Sequence, residues 1–409
     1  MVKNKIYNIS NFYTLLWCIY YFLGATTTDG SLLGQISLFA VLSISLCCMF
    51  QCLANFKLPL FFKALHFLLI MFTIYGIYRL IPGTEVFLGK VAVPRHDYLK
   101  NMLISLLPIY SYYYFTLKGY ITEEWFRRWS LIFVGIAIYS FYGYSIKKFS
   151  TEIEIDEVSD FDFTNNTAYI FLSILPALIF YRRNLFIQYL LFFIISTFIL
   201  FALKRGAIII LLICLLFYFT KTKLIINAKT KFYYTIFVLL LIIIGIIGLY
   251  FFINNNTYII ERYNETLSGD TSSRDLLFIK LIAYFFGQIS IFSDHPNILA
   301  FLFGNGANAT ITIAGKNAHN DWLEILINQG LVGGLLFAYF WYVFFRTCKI
   351  AYNRGKPNEI GLALIIIFII CFTKTFFSMS INDMNIYMTS VLGYSLCRLH
   401  TESNELSTV

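Results

Sequence analysis

Long apolar runs, separated by short polar stretches, fill almost the whole chain. A helix needs about 20 residues to cross the hydrocarbon core of a bilayer. Twelve stretches are read as such spans: 11–27, 31–53, 64–81, 99–117, 128–146, 166–181, 185–203, 206–220, 232–253, 322–345, 358–380 and 384–398. The sixth, eighth and twelfth are short. The longest segment outside these runs is 254–321, between the ninth and tenth spans. Within it, TSSRDLLFIKLIAYFFGQIS (271–290) has an amphipathic helical pattern. Such a helix is expected to lie along the membrane surface or to pack under the loop.

One stretch concentrates the polar residues differently. KNAHNDWLEILINQGLVGG (316–334) begins polar and then continues apolar as far as Arg346. The free N–H groups and positive dipole end of a helix attract anions, so polar groups crowding the start of an apolar helix are a chemical signal. Asn317 or Asn320 is the expected N-cap. His319, Leu323, Leu326, Gly330 and Gly334 recur at spacings of three and four, which predicts one shared helix face. Gly330 and Gly334 would form a small-residue step for close approach of another helix.

Composition agrees with the pattern. The chain is 59% hydrophobic and 13% charged, with mean hydropathy +0.71. Those values exclude a soluble globular domain and predict an all-α polytopic membrane protein, one membrane domain over residues 1–409. The first apolar run has no cleavage-site pattern after it and is read as a retained span. The eight cysteines fall in spans or inner loops, so no disulfides are expected; they form no zinc-like spacing with histidine.

The net charge of +9 does not indicate nucleic-acid binding, because its distribution follows the membrane. With the N-terminus inside, the inner segments hold 18 of the 31 basic residues and only five acids, leaving the outer segments net negative. This bias predicts about 12 transmembrane helices with N-in/C-in orientation. The 254–321 loop is then extracytoplasmic. The outer face also carries 82–98, a tight turn at 204–206, and an acidic segment 147–165 that reads either as a solvated loop keeping the outside negative or as a sugar contact through its carboxylates, Phe161 and Phe163.

Three outer residues carry the chemistry. Arg205 follows an apolar run and opens the next. Taken alone it marks a membrane boundary, yet Lys204 and Arg205 stand on the side that topology disfavours for positive charge. Arg274 opens the amphipathic segment beside Asp275, with Thr271, Ser272 and Ser273 as caps; alone it is a surface pair of little weight. His319, alone, is a polar surface group. Together, two guanidiniums and an imidazole at helix ends suit a reaction on an anionic lipid phosphate. Guanidinium binds phosphate through paired charge-assisted bonds, and a near-neutral imidazole can take a proton from a hydroxyl. Lys316, Asn320 and His295 are the accompanying candidates for substrate contact.

His319-Asn320-x-x-Leu323-x-x-Leu326-x-x-x-Gly330-x-x-Gly333 resembles the histidine signature of the O-antigen ligase and polymerase superfamily. Arg205-Gly206, Ser272 to Asp275, and the run from His295-Pro296 to Gly304-Asn305-Gly306 resemble its other elements in the same order, so the resemblance covers residues 190–345. Lys204 stands where the family has serine, Ser273 where it has glycine, and Asn328 where it has an acid. The resemblance implies inverting glycosyl transfer without metal or cofactor, on the outer face of the bacterial cytoplasmic membrane. The donor would be a glycan on undecaprenyl pyrophosphate and the acceptor a glycan hydroxyl. Arg205 and Arg274 would hold the pyrophosphate, and His319 would position or deprotonate the acceptor. A repeat-unit polymerase for O-antigen or capsule is favoured over the sister ligase reaction onto lipid A-core. A lipid-linked oligosaccharide flippase is the reading from another class, and a chain-length regulator is a partner left open.

Overall fold

The computed structural model describes residues 8–26, 31–81, 86–88, 91–150, 161–181, 184–202, 204–222, 274–290, 296–353, 359–378 and 384–407, with single positions at 83, 236, 243 and 250. The predicted ninth span (232–253) and the stretches 151–160, 254–273 and 291–295 lie outside the described residues, apart from those single positions.

The apolar runs fold as helices. They are α1 (Ile9–Thr26), α2 (Leu32–Asn55), α3 (Leu60–Leu80), α4 (Asp97–Leu117), α5 (Glu123–Ser150), α6 (Phe161–Ile174), α7 (Leu185–Phe201) and α8 (Arg205–Thr222). After them come α9 (Arg274–Gly287), α10 (Ile298–Phe303), α11 (Ala309–Ala314), α12 (Asp321–Asn353), α13 (Glu359–Phe377) and α14 (Ile386–Ser407). A two-residue antiparallel pair, β1 (Phe87–Leu88) with β2 (Val91–Ala92), closes the connection from α3 to α4. Helices α2, α3, α12 and α13 are each long and apolar enough to cross a membrane. The chain is an α-helical membrane protein.

Among the described residues, two of the expected helices are not continuous. The sixth span runs as α-helix only to Ile174 and continues as a 3-10 turn over Leu175–Tyr181. Pro176 lacks an N–H and its ring crowds the preceding turn, which favours the tighter winding there. The second departure is at Gly330 in α12, where φ is 70° and ψ is −167°. The shared face predicted through His319, Gly330 and Gly334 therefore does not exist. His319 precedes the helix with φ 50°, and the helix changes direction at Gly330.

The core is aromatic. Tyr13, Trp17, Phe61, Phe62, Tyr110, Tyr112, Tyr113 and Phe115 are fully buried. Helix α4 packs against α2, α3 and α14, and α12 against α3 and α13. The α4–α14 crossing is close because of Gly393, where a Cβ would lie 2.8 Å from the Ile109 carbonyl. A smaller cluster joins Leu277, Leu281 and Phe285 of α9 to Ala309, Ala318 and Ile327. The amphipathic segment is thus a helix packed beneath α11 and the first half of α12.

The expected small-residue contact at Gly330 exists, but it is made by backbone crossing a broken helix. A Cβ on Gly330 would sit 2.4 Å from the Gly304 nitrogen, and one on Gly304 would sit 2.2 Å from the Asn328 carbonyl oxygen. Gly330→Ala should lower the thermal stability of detergent-solubilised protein by more than the roughly 1–3 kcal/mol of an unfavourable backbone angle alone. An unchanged melting temperature would contradict the crossing.

Candidate functional site

The start of α12 is built by its own polar residues. Asn320 Oδ1 accepts from the N–H groups of Trp322 at 3.0 Å and Leu323 at 3.1 Å, so Asn320 is the cap of the two candidates. Its Nδ2 reaches the Phe376 carbonyl at 3.5 Å. Trp322 donates from its indole to Thr375 Oγ1 at 3.0 Å and stacks on Phe376. The beginning of α12 therefore rests against the last turn of α13.

The same turn of α13 meets the beginning of α8. A Cβ at Gly206 would lie 3.0 Å from Phe377 Cβ and 2.9 Å from the Tyr169 hydroxyl. Glycine next to Arg205 thus lets α8 start directly against α13 and α6. Arg205 is exposed as the first residue of α8, and Lys204 just before it is half-buried. Phe376 and Phe377 are consecutive, so the helix starts that follow Lys204 and His319 are neighbours around one helix end. Lys374, one turn earlier, is buried with its Nζ 4.3 Å from the Tyr169 ring centroid.

Neighbouring elements are tied to α10 and to the first half of α12. Tyr75 of α3 donates to the Phe303 carbonyl, and Gln329 Nε2 donates to the hydroxyl of Tyr98 at the start of α4. Arg79, near the end of α3, is 1% exposed and points one Nη2 at the Val93 carbonyl, 3.5 Å away. Arg274 is the first residue of α9, whose buried face packs on Ala318, adjacent to His319. Lys316 and His319 lie half-buried on the segment between α11 and α12. His295 and the caps Thr271 to Ser273 fall outside the described residues.

Cations thus sit at the first residue of α8, at the first residue of α9 and on the approach to α12. A cation at a helix N-terminus loses the dipole stabilisation that an anion there would gain. An anion at the start of α8 would meet the Arg205 guanidinium and the positive end of that helix dipole.

Sequence reasoning passed over the carboxylate of this region. Glu324 is 5% exposed and lies one helical turn before Asn328. Its Oε2 accepts from Thr310 Oγ1 at 2.6 Å and from Asn328 Nδ2 at 3.1 Å, and its Oε1 accepts from the Ala318 N–H. Asn328 in turn accepts the Thr310 N–H at 3.3 Å. The available signal was a second acid, three residues after Asp321 and four before Asn328, ahead of a long apolar stretch.

Replacing the cap separates the two asparagines. Asn320→Ala should cost about 1 kcal/mol of stability, whereas Asn317→Ala should stay within about 0.5 kcal/mol, as read by thermal denaturation. No family model and no curated protein sequence matches the chain.

Proposed function

We propose that the protein is a repeat-unit polymerase, transferring a lipid-linked glycan onto the next lipid-linked unit at the outer face of a bacterial cytoplasmic membrane. The observation that carries this reading is the meeting of the Arg205 and His319 helix starts around the last turn of α13. In this reading the chain has twelve spans with both termini inside. Such an alternation assigns the ends of α3 and α13 and the starts of α4, α8 and α12 to one side; the end of α13 touches the starts of α8 and α12, and Gly76 near the end of α3 lies against Leu99 at the start of α4.

The chemistry is a single displacement at the anomeric carbon of the donor sugar. The acceptor hydroxyl oxygen bonds to that carbon while the bond to the pyrophosphate oxygen breaks. Undecaprenyl pyrophosphate leaves with the electron pair, and the hydroxyl proton passes to His319. Arg205 and Arg274 neutralise the charge that builds on the leaving group. The sugar ring passes through an oxocarbenium-like state. The ligase shares this donor chemistry and differs in its acceptor. Deletion separates the two: single-repeat caps on lipid A mark a lost polymerase, and bare core marks a lost ligase.

Arg205→Ala, Arg274→Ala and His319→Ala should each reduce polymer at least about 10²-fold at normal protein level, measured on surface glycan from complemented cells. Full polymer from Arg274→Ala would remove the pyrophosphate clamp. Turnover by purified protein should be unchanged by EDTA, and a loss restored by a divalent ion would remove the metal-free mechanism.

A further inference from the structure

We infer that Glu324 is a positioning residue for His319: its buried carboxylate ties the segment before α12 to α11 and to the next turn of α12, and so fixes the backbone that presents the imidazole. The inference rests on the proposed role of His319 and deepens it.

Burying a carboxylate is costly unless hydrogen bonds replace its water. Glu324 has three such bonds, all from neutral groups: the Thr310 hydroxyl, the Asn328 amide and the Ala318 backbone N–H. The three donors belong to separate pieces of chain. Thr310 is in α11, Ala318 is in the segment that leads to His319, and Asn328 is one turn further along α12. The carboxylate is therefore a node, and removing it releases three elements at once.

The tie to Ala318 is the one that reaches the chemistry. His319 has φ 50°, a left-handed conformation uncommon for any residue but glycine. Such a conformation persists only where its surroundings hold it. Glu324 holds the residue before His319 through the Ala318 N–H. On the other side, Asn320 is fixed by its cap to Trp322 and Leu323. His319 is bracketed between two side-chain anchors of the same helix. The helix start is already capped by Asn320, so capping gives no reason for an acid at 324. An apolar side chain there would avoid the desolvation cost. What the acid adds is the fixed position of Ala318, and with it the direction of the imidazole.

The pair Glu324 and Asn328 allows a test that separates positioning from folding. In Glu324→Gln alone, the single amide oxygen can face only one side: with it toward Ala318 the NH2 group meets the Asn328 amide, donor against donor, and with it toward Asn328 the NH2 group meets the Ala318 N–H. Adding Asn328→Asp restores a donor–acceptor pair and keeps an acceptor for the Thr310 N–H. It also leaves the carbonyl oxygen of the substituted side chain at 324 to accept from the Ala318 N–H.

Full-length protein is used throughout, in cells for polymer and in phosphatidylglycerol–phosphatidylethanolamine vesicles for chemistry. Glu324→Ala should reduce polymer about 10²-fold, the loss expected when a catalytic group is misplaced by about an ångström. The double variant E324Q/N328D should recover to within about tenfold of the unaltered protein. The second readout is the rate at which diethyl pyrocarbonate modifies His319, measured against His96 as internal standard. Glu324→Ala should shift that ratio at least about threefold, because the local restraint is gone, and the double variant should return it. Normal polymer or unchanged His319 reactivity in Glu324→Ala overturns the inference, as does a double variant no better than E324Q. If the unaltered protein makes no polymer while His319 reactivity still follows Glu324, the functional reading falls, and the clamp loses its catalytic purpose with it. If Arg205→Ala abolishes polymer but Glu324→Ala does not, the functional reading stands and the clamp alone is wrong.

Discussion

A helix that breaks in apolar surroundings must find new partners for the carbonyls it frees. Gly330 breaks α12, and the freed carbonyls are those of Ile327 and Asn328. They accept instead from the backbone N–H groups of Asn305 and Gly306, each at 3.0 Å. Each such group left bare in a buried place costs about 1–3 kcal/mol, so the crossing strand and the break require one another. Glycine is needed on both sides, because either Cβ would collide with the opposite backbone. The Asn305 side chain locks the arrangement. It donates to the Ile327 carbonyl at 3.1 Å and accepts from Tyr284 of α9 and from Gln288 just after that helix.

That single crossing organises the region around the candidate site. It ties α9, α10 and α11 to the first half of α12, so the chain between α9 and α12 is held to the membrane helices by hydrogen bonds as well as by apolar contact. The first half of α12 then carries its polar residues, Asp321, Glu324, Asn328 and Gln329, into buried positions. Each of the last three has a partner from a different element: Glu324 from α11, Asn328 from α11 and the crossing strand, and Gln329 from α4.

The helices were legible because apolar run length is a strong signal and tolerates error at the boundaries. Asn320 was legible as a cap because capping is local chemistry. The amphipathic segment was legible as a helix for the same reason. The break at Gly330 was not. A glycine within an apolar helical pattern reads equally as a close helix contact, and only the partner strand, over twenty residues earlier, decides between the two. Glu324 was not legible, because the pattern that the sequence resembles marks position 328, where Asn328 stands, and not the acid one turn before it. A buried acid cannot be told from a solvated one by spacing alone; Thr310 and Ala318 had to be brought beside it by the fold.

Two cations of this region are accessible while its acid Glu324 is not, and the difference has a physical reason. Arg205, exposed, and Lys316, half-buried, stand where a ligand anion can reach them, near helix starts whose own dipoles favour that anion. Glu324, the negative group closest along the chain to His319 in α12 after Asp321, is sunk among neutral donors. There its desolvation is offset by those three hydrogen bonds, so the acid anchors the histidine segment from a position closed to solvent.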